Sequence, residues 1–584
     1  MGTMGWKVAI GVVGAALAAG SMGAAHAATP DVRAAADRAV VTVSTPDLPT
    51  GESPAARGRW RDLRAEANGV LGDVASDGGL DVEARIPETG QIAVDLVGGS
   101  VAELRRRLGD DPRVLSVRAD RPVTWRYSPS DPAIGTPDQN APLGDVGSWN
   151  VIRSGALAAW DISKGAGAEV AVIDSGADVS HPDLSGHLAG TVDCTPNCAP
   201  GPVEDEDGHG THVSGLACGD TDNGYGIASL GFDCNLWLAK VSLCSSVSQA
   251  IVQAANRGAD AINLSLGDCD SGLSAAIDYA FASGSVPVAA GTNTPVPGGP
   301  NYPAQRVQPE GSGGDINAGR GLVVTAATYD GQRAAFAQRT SGVSIAAFGA
   351  SSGLVGGPQG ILSTWPEDPP SIETGTLIPP VSPCGCRTTL AGDDRFAYLV
   401  GTSMAAPQVA GLVALMRSVK PDLTAPKLVR LVKLSASNCG SYVDGTGWGL
   451  IDAHRAVAAA AGRDLDAPTS EVSGVSAKGV TVKRLDSAAC SSELPISGVK
   501  TVEVFASANG GPYRLIGQTS GESLAFGVKK GKKAKKGKNR FRPKPGRRYR
   551  FYSVAVDGAG NREAVPPEPD ATKRFKKKRK RKRR

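Results

Sequence analysis

The sequence predicts an α/β protein whose central parallel sheet is flanked by helices, preceded by a small α+β unit and followed by a β-sandwich. Three observations lead to this prediction. Apolar strands alternate with helical segments between residues 149 and 463. Mixed strand and helix patterns without cysteine come before that region, and short strands separated by turns come after it. A chain of 584 residues is long enough for each region to fold as a separate unit.

The first 28 residues have the pattern of an export signal. A single charged residue, Lys7, precedes an apolar run over residues 8–19, and Ala25-His-Ala27 follows as a small-residue cleavage site. The apolar run is shorter than the roughly 20 residues that span a membrane. We therefore assign residues 1–28 to a signal peptide and expect a secreted, extracellular product. The ten cysteines fit an oxidising compartment, because an even number can all form disulfide bonds.

Residues 29–126 make up the predicted α+β unit. Alternating apolar and polar residues over Val82–Leu96 indicate a strand pair, turned at Glu88-Thr-Gly90. Apolar residues at helical spacing predict a helix over Val101–Leu108, and Val114–Asp120 is a further strand candidate.

Residues 127–464 carry the predicted parallel sheet. Short, strongly apolar segments, typical of strands that are buried on both faces, alternate with longer segments of helical periodicity. Predicted strands cover residues 170–173, 261–264, 286–290 and 322–326, and predicted helices cover residues 246–257, 273–283 and 405–418.

The predicted β-sandwich covers residues 465–566, with strands at 499–506 and 549–556. Turns are expected at Asn509-Gly510 and at Asp557-Gly558. Residues 567–584 are predicted to be a basic, disordered tail. Nine cysteines lie between Cys194 and Cys439, and one, Cys490, lies beyond them. A fully oxidised chain must therefore join Cys490 to one of the nine, of which Cys439 is the nearest in sequence. The alternatives are a pair of free thiols or an intermolecular bond.

The basic charge is concentrated near the C-terminus. Residues 529–550 carry 13 Lys and Arg, and residues 573–584 carry 11 more, without any acidic residue in either segment. The rest of the chain has 38 basic against 58 acidic residues, a net charge of about −20. A nucleic-acid-binding protein usually spreads its basic residues over a folded face. This distribution therefore argues against specific nucleic-acid binding.

Three segments carry the residue types that acyl transfer requires. The apolar strand 170–173 ends in Asp174. Residues at the carboxyl ends of parallel strands line the site in open α/β folds. His209 lies between two glycines at the start of an apolar helix, and Ser403 lies at the start of another. A serine hydroxyl attacks a carbonyl once a neutral imidazole takes its proton, and a carboxylate fixes the tautomer of that imidazole.

Each of these residues also has a structural interpretation. An Asp at a strand end is commonly a turn or cap residue, and a Ser at a helix start is commonly an N-cap. His209 and His212 could suggest zinc, but Gly210 stands where a zincin helix has glutamate, and the histidine spacing is one residue short. The sequence around Ser403 is not G-x-S-x-G, and the order Ser before His of α/β-hydrolases is reversed.

Taken together, the three motifs resemble those of subtilisin-like serine peptidases. The motifs are Ile173-Asp-Ser-Gly176, His209-Gly-Thr-His-Val-Ser-Gly215 and Gly401-Thr-Ser-Met-Ala-Ala-Pro407. The resemblance covers residues 149–463 and implies a subtilisin-like fold with secreted serine endopeptidase activity. It assigns Asp174 as the orienting acid, His209 as the general base and Ser403 as the nucleophile.

The same resemblance implies how substrate is held. Asn263-Leu-Ser-Leu-Gly267 is similar to the family strand that pairs its backbone with the substrate. Ser265, Leu266 and Gly267 are therefore expected to bind substrate, and Gly291 is a further expected contact. The oxyanion-hole asparagine of the family directly follows Ala-Gly, whereas here Thr292 separates Gly291 from Asn293. We nevertheless expect Asn293 to fill this role. The alternative is that Asn293 caps a turn, with Thr292 or a backbone N–H as the donor.

The resemblance also sets expectations for partners and cofactors. Residues 29–126 resemble an inhibitory prosegment, so the enzyme is expected to be a self-processed zymogen that its own propeptide inhibits. Polypeptides are the expected substrates, and a monomer is expected. Catalysis needs no cofactor and no catalytic metal; structural calcium is left unassigned, because Thr221–Gly226 has diverged from the calcium loop of the family.

The regions after the peptidase domain leave their role open. Residues 465–566 resemble immunoglobulin-like modules of secreted enzymes. Anionic polymers of the cell envelope are the candidate partners of the basic tail, against the alternative of a solvated tail without a partner. The competing function for the whole chain is a non-catalytic surface-binding protein on a degenerate peptidase scaffold.

Overall fold

The computed structural model describes residues 38–44, 54–86, 90–96, 101–109, 111–119, 128–195, 197–293, 302–351, 360–376, 383–511, 513–526 and 541–576. The chain divides into two compact units, Met1–Thr124 and Trp125–Arg584. The predicted signal peptide lies outside the described residues, and so do Glu88 and Thr89 of the predicted turn.

The first unit is a four-stranded antiparallel sheet with two helices. The strand order is β2-β3-β1-β4. Its elements are β1 (Arg38–Val43), α1 (Pro54–Asp77), β2 (Asp81–Ile86), β3 (Gln91–Asp95), α2 (Val101–Leu108) and β4 (Val114–Ala119). Val41, Leu71, Ile92 and Leu104 meet in a core that belongs to this unit. The predicted strand pair, helix and last strand are confirmed.

The second unit contains a seven-stranded sheet of order β11-β10-β9-β8-β5-β7-β6, in which every pairing is parallel. Its strands are β5 (Glu169–Asp174), β6 (Leu188–Asp193), β7 (Asn235–Lys240), β8 (Ala261–Leu264), β9 (Val286–Ala290), β10 (Leu322–Ala327) and β11 (Ile345–Phe348). Successive residues of β5 face opposite cores, with Val170 and Val172 on one side and Ala171 and Ile173 on the other. This confirms the predicted parallel sheet that is covered by helices on both faces.

The helices of this unit are α3 (Pro132–Gly135), α4 (Trp149–Arg153), α5 (Ala156–Trp160), α6 (Pro182–Ser185), α7 (His209–Cys218), α8 (Cys244–Arg257), α9 (Ser274–Ala282), α10 (Ala304–Val307), α11 (Ser371–Thr374), α12 (Thr402–Val419), α13 (Ala425–Ser435) and α14 (Ala453–Ala460). Short 3₁₀ turns cover Pro142–Gly144 and Ser271–Leu273. Helix α12 is buried for most of its length in the larger core, and α8 and α9 pack on the opposite face of the sheet.

A small antiparallel sheet precedes α12. It has the order β12-β14-β13 and consists of β12 (Ile361–Thr364), β13 (Arg387–Leu390) and β14 (Asp393–Leu399). It packs against α7. The sequence alone does not predict these strands.

The C-terminal region is a sandwich of two antiparallel sheets, of order β15-β16-β19 and β18-β17-β20-β21. The strands are β15 (Thr469–Val475), β16 (Gly479–Leu485), β17 (Val499–Ala508), β18 (Arg514–Thr519), β19 (Ser523–Ala525), β20 (Arg548–Asp557) and β21 (Ala571–Arg574). The boundary of the predicted tail is corrected here. Strand β21 pairs with β20, and Phe575 is buried in the sandwich core, so the fold continues past residue 567.

The sandwich is covalently and non-covalently attached to the region that contains the seven-stranded sheet. A disulfide joins Cys439 to Cys490, which confirms that Cys490 bonds one of the nine earlier cysteines. Arg430 of α13 forms an ion pair with Glu493, and Leu494 is buried in the larger core of that region. The other disulfides are Cys194–Cys198, Cys218–Cys234, Cys244–Cys269 and Cys384–Cys386.

Among the described residues, the helices are all too short or too polar to cross a bilayer.

Candidate active site

The predicted site residues gather at the carboxyl-terminal edge of the parallel sheet. Asp174 ends β5, Ser265 directly follows β8, and Gly291 directly follows β9. These three strands are neighbours in the sheet, so their ends lie side by side. His209 and Ser403 come to this edge from the N-terminal turns of α7 and α12, which pack against each other.

His209 is held by Asp174. The distance between His209 Nδ1 and Asp174 Oδ1 is 2.7 Å, and the carboxylate also accepts the backbone N–H of Ser175 at 2.8 Å. An ionised carboxylate can only accept, so the imidazole donates from Nδ1 and keeps Nε2 free to accept a proton. The Asp174 side chain is 5% exposed and that of His209 is 23% exposed. The acid is therefore shielded while the base remains accessible.

The charges around His209 favour its protonated form. Burial lowers the pKa of the imidazole, but the charge and the hydrogen bond of Asp174 oppose this effect. Together with the charges of Asp207 and Asp205, they raise the pKa of His209 to about 9. A base with a raised pKa is neutral only at alkaline pH, which gives the site a testable pH dependence.

Asp205, which lies outside the three sequence motifs, organises the loop that carries His209. Its Oδ1 accepts the hydroxyl of Ser175 at 2.8 Å and the backbone N–H of Gly208 at 2.9 Å. Its Oδ2 accepts both the backbone N–H and the hydroxyl of Thr211. The signal for this role was the acidic run 204–207 directly before the histidine motif.

Gly208 shows why glycine precedes the histidine. Its φ is 93°, a left-handed conformation that side chains rarely adopt. A Cβ at this position would lie 2.7 Å from atoms of Pro370 and Trp365. The backbone N–H of Ser371 also donates to the carbonyl oxygen of Glu206, so the segment that contains α11 supports the loop that carries His209.

Ser403 lies in the first turn of α12, next to Ser265. Its Oγ donates to the backbone carbonyl of Ser265 at 3.4 Å, and Ser265 Oγ donates to the carbonyl of Ser403 at 2.9 Å. Within the described part of the chain, no hydrogen bond joins Ser403 Oγ to His209. Such contacts are often long in the absence of substrate and tighten when substrate binds.

Asn293 lies beside the N-terminus of α12. Its Oδ1 accepts the backbone N–H of Thr402 at 2.8 Å and the hydroxyl of Thr402 at 2.9 Å. The amide nitrogen Nδ2 lies 3.4 Å from where a Cβ of Gly401 would be. Fixing the oxygen leaves Nδ2 as the available donor. The inserted Thr292 does not carry Asn293 away from Ser403.

Two of the predicted substrate contacts, Leu266 and Gly267, continue the chain beyond Ser265. A Cβ at Gly267 would meet nothing within 4 Å, so the packing of this chain does not require glycine there. Gly291 donates its N–H to Val324 at 2.8 Å and thus continues the sheet next to Asn293. The structure places all four predicted substrate-binding residues at the edge that carries Ser403; their contact with substrate stays a prediction.

His212 has a structural environment. It is fully buried, and its Nε2 lies 3.0 Å from the carbonyl oxygen of Ile361 and 3.1 Å from that of Ala397. Burial and the neighbouring His209 lower its pKa to about 3. The imidazole is therefore a neutral donor to β12 and β14, which agrees with the rejection of a zinc site from the sequence.

The loop at residues 221–226 is tied to two buried carboxylates. Asp131 accepts the backbone N–H of Asp222 at 2.8 Å, and Asp183 accepts the side-chain amide of Asn223 at 2.9 Å. Burial raises the pKa of Asp131 to about 6 and that of Asp183 to about 8. These two carboxylates therefore hold the loop whose sequence has diverged.

Comparison with known proteins gives concordant matches. The model of the subtilase family matches residues 165–461. Thermitase of Thermoactinomyces vulgaris is 31% identical over 311 residues, which are 51% of this chain and 91% of thermitase. A thermophilic serine proteinase of Bacillus sp. strain AK1 is 32% identical over 51% of this chain and 64% of its own. An extracellular protease of Xanthomonas campestris is 27% identical over 447 residues, 68% of this chain and 69% of its own.

Proposed function

Because the chain belongs to the subtilase family of serine proteases, we propose that Asp174, His209 and Ser403 hydrolyse peptide bonds through an acyl-enzyme. The chain is a subtilisin-like serine endopeptidase. The observation that carries the assignment of residues is the 2.7 Å hydrogen bond from His209 Nδ1 to Asp174, at the sheet edge that also holds Ser403 and Asn293.

In the first half of the reaction, His209 Nε2 takes the proton of Ser403 Oγ as that oxygen attacks the scissile carbonyl carbon. The buried carboxylate of Asp174 stabilises the imidazolium that forms and keeps the ring oriented. The imidazolium then donates its proton to the leaving amine as the C–N bond breaks. The product amine departs, and the acyl group stays bound to Ser403 as an ester.

The developing oxyanion needs donors that are already in place. Asn293 Nδ2 is one, because its amide oxygen is fixed by Thr402. The backbone N–H of Ser403 is the second, because N–H groups in the first turn of a helix have no intrahelical partner. In the second half, water repeats the attack with His209 as base, the ester is cleaved, and Ser403 recovers its proton.

Labelling with a fluorophosphonate probe tests this proposal. The folded, mature protein should be labelled at Ser403, because the probe reacts only with an activated serine. His209→Ala should remain folded and lose the labelling, whereas Ser180→Ala, a change at an exposed serine outside the triad, should be labelled like the parent. Failure of the folded parent to react would favour the alternative of a non-catalytic binding protein.

We further propose that the protein is exported and matures from a zymogen. The signal pattern at residues 1–28 and the similarity to an extracellular protease support export. Residues 38–119 contain a compact α+β unit with a core of its own, as a prosegment that folds and inhibits would require. The monomeric state stays a prediction.

Catalysis in this family relies on side chains and needs no cofactor. We propose a structural role for calcium beside the buried carboxylates of Asp131 and Asp183, which both accept hydrogen bonds from the loop at residues 221–226. Carboxylate oxygens suit calcium. Bound there, the ion would hold the loop at residues 221–226 against the peptidase core.

The basic C-terminal region is proposed to retain the enzyme on anionic polymers. Arg548 of β20 pairs in register with Arg574 of β21, and both are exposed. Like charges placed opposite each other destabilise a sheet unless something compensates for them. A polyanion would supply that compensation and release counterions on binding.

A further inference from the structure

Three carboxylates converge where the peptidase region meets the sandwich. Asp464 lies in the linker after α14, Asp486 directly follows β16, and Asp557 ends β20. One oxygen of each residue lies within 4.8 Å of the corresponding oxygens of the other two. Because β16 and β20 belong to different sheets, the cluster brings the linker together with both sheets of the sandwich.

The carboxylate groups of the cluster are buried, although Asp486 as a whole residue is partly exposed. Asp557 is fully buried, Asp464 is 7% exposed, and each carboxylate oxygen of Asp486 exposes less than 1 Å². A carboxylate away from water is costly unless hydrogen bonds or an opposite charge stabilise it. Asp464 accepts from the backbone and the hydroxyl of Ser497, and Asp557 accepts from backbone N–H groups of its own turn. Neither oxygen of Asp486 accepts a hydrogen bond of regular geometry, although the backbone N–H groups of Ser497 and Gly498 lie nearby.

Within the part of the chain that the structure describes, the three carboxylates have no compensating side-chain cation. Arg455 of α14 pairs with Asp466 instead, at 3.0 Å. Among the described residues, no Lys or Arg forms an ion pair with Asp464, Asp486 or Asp557.

We propose that Asp464, Asp486 and Asp557 bind a calcium ion that fixes the sandwich to the peptidase region. Calcium takes six to eight oxygen ligands at about 2.3–2.6 Å, so two of its ligands on opposite sides are about 5 Å apart. The spacing of the three carboxylates lies within that limit. The carboxylate of Asp486 lacks a positively charged partner, and the ion supplies one. Backbone carbonyl groups and water complete the coordination of the ion.

Asn561 holds the parts of the site together and is not itself one of the proposed ligands. Its side-chain Nδ2 donates to the backbone carbonyl of Asp464 at 3.0 Å and to Asp557 Oδ2 at 2.8 Å. The linker and the end of β20 are thus held together before any ion binds. A site that is already assembled loses little conformational entropy on binding.

The test counts calcium ions in the full-length chain, with Ser403→Ala in every sample to prevent self-cleavage. After removal of metal with a chelator, bound calcium is measured by equilibrium dialysis. Asp486→Asn should bind one ion fewer per chain than the parent. Glu471→Gln, a matched change at an exposed residue of β15, should bind as many as the parent. Equal counts in the parent and Asp486→Asn would overturn the proposal, whatever happens at Asp131 and Asp183.

Thermal unfolding separates a metal ligand from a merely structural carboxylate. In chelator, Asp486→Asn should melt at the same temperature as the parent or higher, because it removes repulsion among three carboxylates. In calcium, the parent should melt at the higher temperature, because only its native state binds this ion. An equal loss of stability in both conditions would contradict the proposal. If Asp486→Asn does not fold, calcium must still slow amide hydrogen exchange at residues 486–498 of the parent. Unchanged exchange at these residues would overturn the proposal.

Discussion

Asn293 and Thr402 are joined by two hydrogen bonds, in which Asn293 Oδ1 accepts both the backbone N–H and the hydroxyl of Thr402. Thr402 immediately precedes Ser403, so the amide group is attached to the residue next to the proposed nucleophile. The orientation of the amide is therefore set by α12 as well as by the strand that precedes Asn293.

Asn293→Ala should lower turnover about 10²–10³-fold with little change in substrate affinity, because the donor acts on charge that develops in the transition state. Thr402→Val should lower turnover by a smaller factor, since the amide keeps one of its two anchors. Steady-state kinetics on a peptide substrate measure both. A larger loss in Thr292→Val than in Asn293→Ala would move the role to the inserted residue.

Ser403→Ala should remove peptide hydrolysis and leave the fold of the mature region intact. Loss of the attacking hydroxyl costs on the order of 10⁶ in turnover in subtilisin. Circular dichroism and thermal unfolding check the fold, and hydrolysis of a chromogenic peptide checks the activity. A purified, folded variant that retained a tenth of the activity would disprove the assignment.

The rate should increase with pH up to the alkaline range. His209 acts as a base only when it is unprotonated, and its pKa is raised to about 9, so kcat/KM should rise as pH increases toward that value. Asp207→Asn should move the midpoint to lower pH, because it removes one of the negative charges that raise the pKa. Asp444→Asn, a change at an exposed turn outside the site, is the control. A midpoint that is the same in all three proteins would refute this account of His209.

Self-processing is expected between about residues 120 and 130, most of which lie outside the described residues. From Ser130 onward the chain is anchored, because Ser130 N–H donates to Asp222 and Asp131 is buried. Mass spectrometry of the secreted protein should find a new N-terminus before this anchor, whereas Ser403→Ala should retain the prosegment. Equal processing of both proteins would show that another protease is responsible.

Deleting residues 577–584, all eight of them basic, should weaken retention on an anionic matrix and leave peptide hydrolysis unchanged. The deletion starts after Phe575 because that side chain belongs to the sandwich core. Elution by a salt gradient measures retention, and replacement of the same residues by glycine and serine controls for length. Elution at an unchanged salt concentration would support a tail without a partner.

The sequence predicted the central strands well and the peripheral elements poorly. Strands β8 and β9 have the bounds expected for them, because strands buried on both faces are apolar throughout. Helix α1 was missed, because Gly69 and Gly72 interrupt its apolar pattern, although the helix itself is continuous. The end of the sandwich was also misplaced, because β21 consists mainly of polar and charged residues, and its pairing with β20 is not visible in the local pattern.

In the candidate site, the sequence identified the residues that stand in long motifs, and it missed the residues that hold them in place. Asp174, His209 and Ser403 stand in long motifs, so their positions at one sheet edge could be expected. Asp205 was missed because one carboxylate within an acidic run is indistinguishable from a solvated surface residue. Its hydrogen bonds to Ser175 and Thr211 depend on chain segments that only the fold brings together.

The disulfide between Cys439 and Cys490 prevents a single proteolytic cut in the enclosed segment from releasing the sandwich. A protease that works among other proteases, and among its own copies, is exposed to cuts in its interdomain connection. Any single cut between residues 440 and 489 leaves two polypeptides that are still bonded through these cysteines. The sandwich would then migrate as a separate fragment only after reduction, and in an oxidising medium a nicked molecule would keep its C-terminal module.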